Sequence, residues 1–116
     1  MIITRVIFHI DELSKWNLTL LNTKNLLKEL NNEPFYIELL ANSDAVSFYI
    51  QDSIEGKDYL LLKELAAKGV SFSVCNNSLQ AKGIDPNSLP DFVHVVPSGV
   101  MELIKKQQKG YSYIKP

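Results

Sequence analysis

The periodicity of apolar and polar positions switches repeatedly along the chain, and each switch marks the border of a predicted element. Ile3 to His9 is a near-continuous apolar run, the pattern of a strand covered on both faces in a parallel sheet. From about Ser14 to Asn31, Trp16, Leu20, Leu27 and Leu30 recur at helical steps, with Thr23 filling the missing place. Asn31, Asn32 and Pro34 close that helix, because Asn tolerates left-handed geometry and Pro34 restricts the residue before it. Phe35 to Ala41 reads as a second strand. After the polar cluster Asn42, Ser43 and Asp44, a short helix carries Val46, Phe48, Tyr49 and Ile50 into a surface loop at Ser53 to Lys57. Asp58 is placed to cap the next helix, whose apolar side is Leu61, Leu62, Leu65 and Ala66, and Gly69 stands where a C-terminal glycine cap belongs.

Val70, Phe72 and Val74 alternate with Ser71 and Ser73, which predicts a third strand. A short helix from Asn77 to Lys82 ends near Gly83, and Ile84 to Asp91 is a loop punctuated by Pro86 and Pro90. Phe92 to Val96 forms a fourth strand. Pro97 takes the first position of a helix bearing Val100, Met101, Leu103 and Ile104, which Gly110 stops, and Tyr111, Tyr113 and Ile114 make a last strand. Strand and helix alternate over residues 1–116 without repeat or linker. The fold class expected is therefore a single α/β domain, a doubly wound α/β/α sandwich around a mostly parallel sheet.

Ligands of such sheets bind outside the carboxyl ends of the strands. The segments delivered to that edge are His9 to Glu12, Asn42 to Asp44, Cys75 to Ser78 and Pro97 to Gly99. Cys75, the only cysteine, ends the third strand directly before a helix, where Asn76, Asn77 and Ser78 are three candidate N-caps. The positive end of a helix favours a thiolate, which is the nucleophilic form of cysteine. His9 is a candidate to orient or deprotonate that thiol. Asn42, Asn76 and Asn77 offer amides to a polar ligand or a charged sulfur, and Ser98 and Gly99 open a helix whose free N–H groups can bind an anion. Each residue type also has a plainer use, free cysteine as a small buried hydrophobe and asparagine as a cap. Position, more than residue type, singles out Cys75.

Composition narrows the chemistry. Twelve basic and thirteen acidic residues leave a net charge of −1, so no basic surplus marks nucleic acid or an anionic membrane as a partner. The apolar opening from Met1 to Phe8 has no basic leader or small-residue cleavage site and is too short to span a bilayer, which points to a cytoplasmic protein. One cysteine and two distant histidines, His9 and His94, make neither an intramolecular disulfide nor a metal-ligand spacing. No Walker-type loop, dinucleotide-binding glycine pattern, serine-nucleophile elbow or paired-cysteine motif is present, so neither a cofactor nor a metal is expected.

The chain resembles the DsrE/DsrF-like family, and within it a small single-domain branch. The match is carried by Val6-Ile7-Phe8-His9-Ile10-Asp11-Glu12, Asn25-Leu26-Leu27, Ala41-Asn42, Val74-Cys75-Asn76-Asn77-Ser78-Leu79, Val95-Val96-Pro97-Ser98-Gly99-Val100 and Gly110-Tyr111-Ser112-Tyr113-Ile114. The resemblance implies a five-stranded, mostly parallel sheet in an α/β/α sandwich, flavodoxin-like in general layout, and a homo-oligomer. In sulfur-relay members a cysteine after the third strand carries sulfur as a persulfide, and Cys75 falls at that place. The reading that follows is a sulfur carrier served by donor and acceptor proteins. Two alternatives remain open from the residues themselves: a non-catalytic module holding a small anion with Ser98, Gly99 and the asparagines, and an oligomeric scaffold with exposed Tyr49, Tyr59, Tyr111 and Tyr113 at its contacts.

Overall fold

The computed structural model describes residues 2–50 and 56–116; the Ser53 to Glu55 part of the expected surface loop lies outside them. The elements are β1 (Thr4–Ile10), α1 (Trp16–Leu30), β2 (Phe35–Ala41), α2 (Lys57–Ala67), β3 (Ser71–Cys75), α3 (Asn76–Lys82), β4 (Val93–Val96), α4 (Gly99–Gln108) and β5 (Ser112–Ile114). Short 3-10 segments at Leu13–Lys15, Ser43–Ile50 and Pro86–Ser88 fill three of the connections. The sheet order is β4-β3-β2-β1-β5 and every pairing is parallel. The expected α/β/α sandwich with a five-stranded sheet is what the chain forms.

Strand order decides which face each helix covers. From β1 to β4 the chain steps in one direction, so right-handed crossovers put α1, α2 and α3 on one face, and the return from β4 to β5 puts α4 on the other. On the first face Trp16 and Leu20 of α1, Leu62 and Leu65 of α2 and Leu79 of α3 bury with Val6, Phe8, Ile37, Leu39, Phe72 and Val74 of the sheet. Trp16 anchors this layer. Its ring stacks on Phe48 at 4.5 Å between centroids, and its Nε1 donates to the Ala45 carbonyl at 2.9 Å. Thr23, the polar residue in the helical stripe, is fully buried because its hydroxyl donates to the Thr19 carbonyl one turn back.

The second face is thinner, with Ile7, Leu40 and Leu103 as its buried apolar cluster. Beside them Glu38 is 3% exposed. Its carboxylate accepts from the Ser73 hydroxyl at 2.6 Å and meets Lys106 Nζ at 3.2 Å, and Lys106 also reaches Glu102 at 3.9 Å.

Several borders differ from expectation for local reasons. Helix α4 begins at Gly99, not Pro97, because the Ser98 hydroxyl accepts from the Met101 N–H and makes Ser98 the N-cap. Asp58 lies inside the first turn of α2, and Gly56 is the residue at the cap. At the other end of α2, Gly69 adopts φ +105°, which lets its N–H reach Ala66 and the Val70 N–H reach Leu65, closing the helix straight into β3. Tyr49 is 2% exposed and packs against Trp16 and Phe48, so it offers nothing to a subunit contact, whereas Tyr113 is exposed on the edge strand.

Candidate functional site

The carboxyl ends of the strands are in step: Ile10 pairs with Ala41, Ala41 with Val74 and Cys75 with Val96. Residues leaving those ends therefore meet. Cys75 has extended backbone, φ −76° and ψ 120°, and is itself the N-cap of α3. Asn76, Asn77 and Ser78 thus fall in the first helical turn, and none of the three caps α3 through its side chain. This corrects their expected role, and the cause is the abruptness of the junction: no residue separates strand from helix.

The turn brings backbone donors onto the sulfur. Burial pushes the Cys75 thiol up, but the Ser78 hydroxyl and the N–H groups of Gly99, Ser78 and Asn77 together outweigh it, and the net displacement is below the ordinary thiol value. Ser78 is held for this task, since its Oγ accepts from the Ser43 N–H at 2.7 Å and so keeps its own proton free to donate. Gly99 allows a close approach. A Cβ added there would lie 3.2 Å from the Cys75 Cβ and 3.4 Å from the Asn42 Cβ, so a side chain at position 99 would make its neighbours give by a few tenths of an ångström.

His9, half-buried at the end of β1, joins the same rim. Its Nε2 is 2.9 Å from Asn42 Oδ1 and its Nδ1 is 2.7 Å from the Tyr113 hydroxyl. Cys75, Asn42, Gly99 and His9 are thus brought together. Asn77 contributes its backbone N–H, and its side chain is exposed. Asn76 is half-buried beside it, while Ser98 serves as the α4 cap. Sequence reasoning missed two members: Ser78 as a thiol donor and Tyr113 as a partner of His9. His94 points from β4 to solvent. Among the described residues no group of three or more His, Cys, Asp or Glu side chains could hold a metal ion, and Asp11 is engaged with Lys115 at 3.3 Å.

The thiol is more enclosed than an open strand tip, with Cys75 only 6% exposed. A cleft of about 560 Å³ lies at the opposite edge of the molecule, between α1 and α2, lined by Leu27, Leu30, Phe35, Leu65 and the lysines Lys24, Lys28 and Lys68. It has no residue in common with the thiol rim.

Residues 6–116 match the DsrE/DsrF-like family. A protein of unknown function from Methanobacterium thermoautotrophicum, MTH1491, is similar in structure over 97% of this chain and 99% of its own, with 35% identity and a TM-score of 0.82. The ychN protein from E. coli is similar over 98% of this chain and 100% of its own, with a TM-score of 0.74 and 18% identity, a likeness of fold. No curated protein matches the chain.

Proposed function

The chain belongs to the DsrE/DsrF-like family, and from that premise we propose that it is a sulfur carrier, holding sulfane sulfur as a persulfide on Cys75. The observation that carries this reading is the place of Cys75, at the junction of β3 with α3 and against the first turn of α4, where the Ser78 hydroxyl and nearby backbone N–H groups hold the thiol below its ordinary value despite burial. A structural cysteine gains nothing from four donors. A carrier does, because both its resting thiolate and its leaving thiolate are anions.

The transfer balances without an external oxidant. The Cys75 thiolate attacks the outer sulfur of a donor persulfide, a new S–S bond forms at Cys75, the donor's S–S bond breaks, and the donor departs as a thiolate. An acceptor thiolate repeats the step on the outer sulfur and releases Cys75. The outer sulfur of the loaded protein sits about 2 Å beyond the buried Sγ. Asn42 and the N–H groups of the α3 and α4 turns lie beside Cys75 and would stabilise a charged sulfur there.

The same reading places the protein in the cytoplasm, where a single unpaired thiol stays reduced; among the described residues no helix is long and apolar enough to cross a membrane. It also makes the chain one domain that associates with copies of itself. Val100, Met101 and Ile104 on α4 and Tyr113 and Ile114 on the edge strand β5 are exposed apolar surface suited to that contact.

Incubation with a persulfide donor followed by mass spectrometry tests the proposal. One added sulfur on Cys75 is expected in the native chain and none in Cys75→Ser. Absence of any adduct across donor concentrations, or equal loading of the Cys75→Ser chain, contradicts it.

A further inference from the structure

The cleft between α1 and α2 encloses about 560 Å³, within the range of small-molecule sites. It lies where the C-terminal halves of the two helices pass over the start of β2 at Phe35. Of its lining, Leu30 and Leu65 are buried, while Leu27, Phe35 and Leu61 are only half-buried although they pack against the core. Apolar surface is therefore left turned to the cleft. Residues Leu21 to Leu30 run along about 14 Å of α1, so the site is long as well as apolar.

The polar lining is basic. Lys24 and Lys28 of α1 and Lys68 at the end of α2 stand against two carboxylates, Glu33 and Glu64. Lys68 meets Glu64 at 3.2 Å, whereas Lys24 and Lys28 have no ion-pair partner among the described residues. Lys24 and Lys28 are four residues apart and so share one side of α1, a spacing at which like charges repel each other. An anion between them relieves that repulsion. In a chain of net charge −1 this is a local excess of positive charge beside leucine and phenylalanine.

We propose that this cleft binds one amphipathic anion, an aliphatic carboxylate, with its chain laid against the leucines and Phe35 and its head between Lys24 and Lys28. The head belongs at that end for an electrostatic reason. Both helices end beside Leu30 and Lys68, and the free carbonyls of a last turn repel an anion. Lys24 stands more than a turn before the end of α1, clear of that effect, and Lys68 is already tied to Glu64. The same head and tail occur on a free molecule and in an anionic bilayer, and a concave site suits the free molecule. The cleft shares no residue with the thiol rim, so this site and the sulfur chemistry of Cys75 stand or fall separately.

The experiment is an NMR titration of the isotope-labelled chain with dodecanoate below its micelle concentration, with acetate and dodecyltrimethylammonium as controls for the tail and the charge. Saturable amide shifts are expected at Leu27, Phe35, Leu61 and Leu65 with a Kd below about 1 mM, and none at Cys75, Ser78 or Gly99. The cation with the same tail should bind about tenfold more weakly, and acetate should not saturate. Replacing both Lys24→Ala and Lys28→Ala is expected to weaken dodecanoate about fivefold, and Lys68→Ala about twofold at most. All three side chains are exposed, so the variants fold. Shifts at the thiol rim or the exposed apolar side of α4, equal binding of the two charged tails, no saturation, or undiminished binding in the double lysine variant overturns the proposal. So does sedimentation with phosphatidylglycerol vesicles in the absence of saturable dodecanoate shifts, which assigns the lysines to a membrane surface.

Discussion

The two faces of the sheet are built on different terms. Three helices cover the first with an apolar layer centred on Trp16, Phe72, Leu39 and Leu65, all at most 1% exposed. On the second, α4 alone lies over Ile7 and Leu40, and the rest of the contact is made by a Glu38, Ser73, Glu102 and Lys106 cluster. The site belongs to this second face: Cys75, His9 and Asn42 are the next residues outward on it, and α4 supplies Gly99. Apolar burial is non-directional and stabilises the fold, whereas polar contacts are directional and can aim an N–H at a sulfur. A face that must hold α4 in register over a thiol is served by the second kind.

The largest test of this contrast is on the apolar side. Phe72→Ala is expected to cost about 3–5 kcal/mol in urea denaturation, against about 2 kcal/mol for Leu103→Ala under α4. Equal losses would mean that the second face stabilises the fold as much as the first. A smaller effect probes the carboxyl pair. Burial, then the hydrogen bond and the charge of Glu38, push Glu102 up to about 7 from an ordinary 4.5. The folded chain therefore holds a proton between those pH values that the unfolded chain has lost, so stability falls as pH rises through this window and does not return above it. The loss is about 1–2 kcal/mol, less than the full displacement implies because Lys106 and solvent relax the charged form. In Glu102→Gln the stability curve between pH 4.5 and pH 8 should lose that slope; an unchanged slope assigns it to another group. Smallest in stability but direct at the site is Ser78→Ala. It removes the hydroxyl donor to Cys75 and should slow thiol alkylation at neutral pH about fivefold while leaving unfolding nearly unchanged; an unaltered rate would show that backbone N–H groups alone suffice.

The sequence made the alternation of strand and helix legible, because burial on both faces gives β1 and β2 their apolar runs, β3 alternates Phe72 and Val74 with serines, and the α1 stripe shows its period through Trp16, Leu20, Thr23, Leu27 and Leu30. It placed Cys75 at a strand tip correctly, since Val70, Phe72 and Val74 leave little freedom of register. The position of β5 beside β1 was not legible: strand order is set by long-range packing, and nothing in Tyr111 to Ile114 names a neighbour. For that reason Tyr113 read as a surface aromatic and its bond to His9 went unseen. The carboxyl cluster did leave a trace, a lone Glu38 inside an apolar strand, where a charge buries only if a partner such as Lys106 comes from elsewhere. The caps were misread because Asn76, Asn77 and Ser78 all have cap chemistry, while the backbone placed the border one residue earlier, at Cys75 itself.

The most direct measurement is the pH dependence of Cys75 alkylation in the unmodified chain, read against a cysteine in an unfolded peptide. If four donors overcome burial at this sulfur, the midpoint lies below that of the peptide and the thiol reacts readily at neutral pH. A midpoint at or above the peptide value means that burial wins, and contradicts the assignment of Cys75 as a sulfur-bearing group.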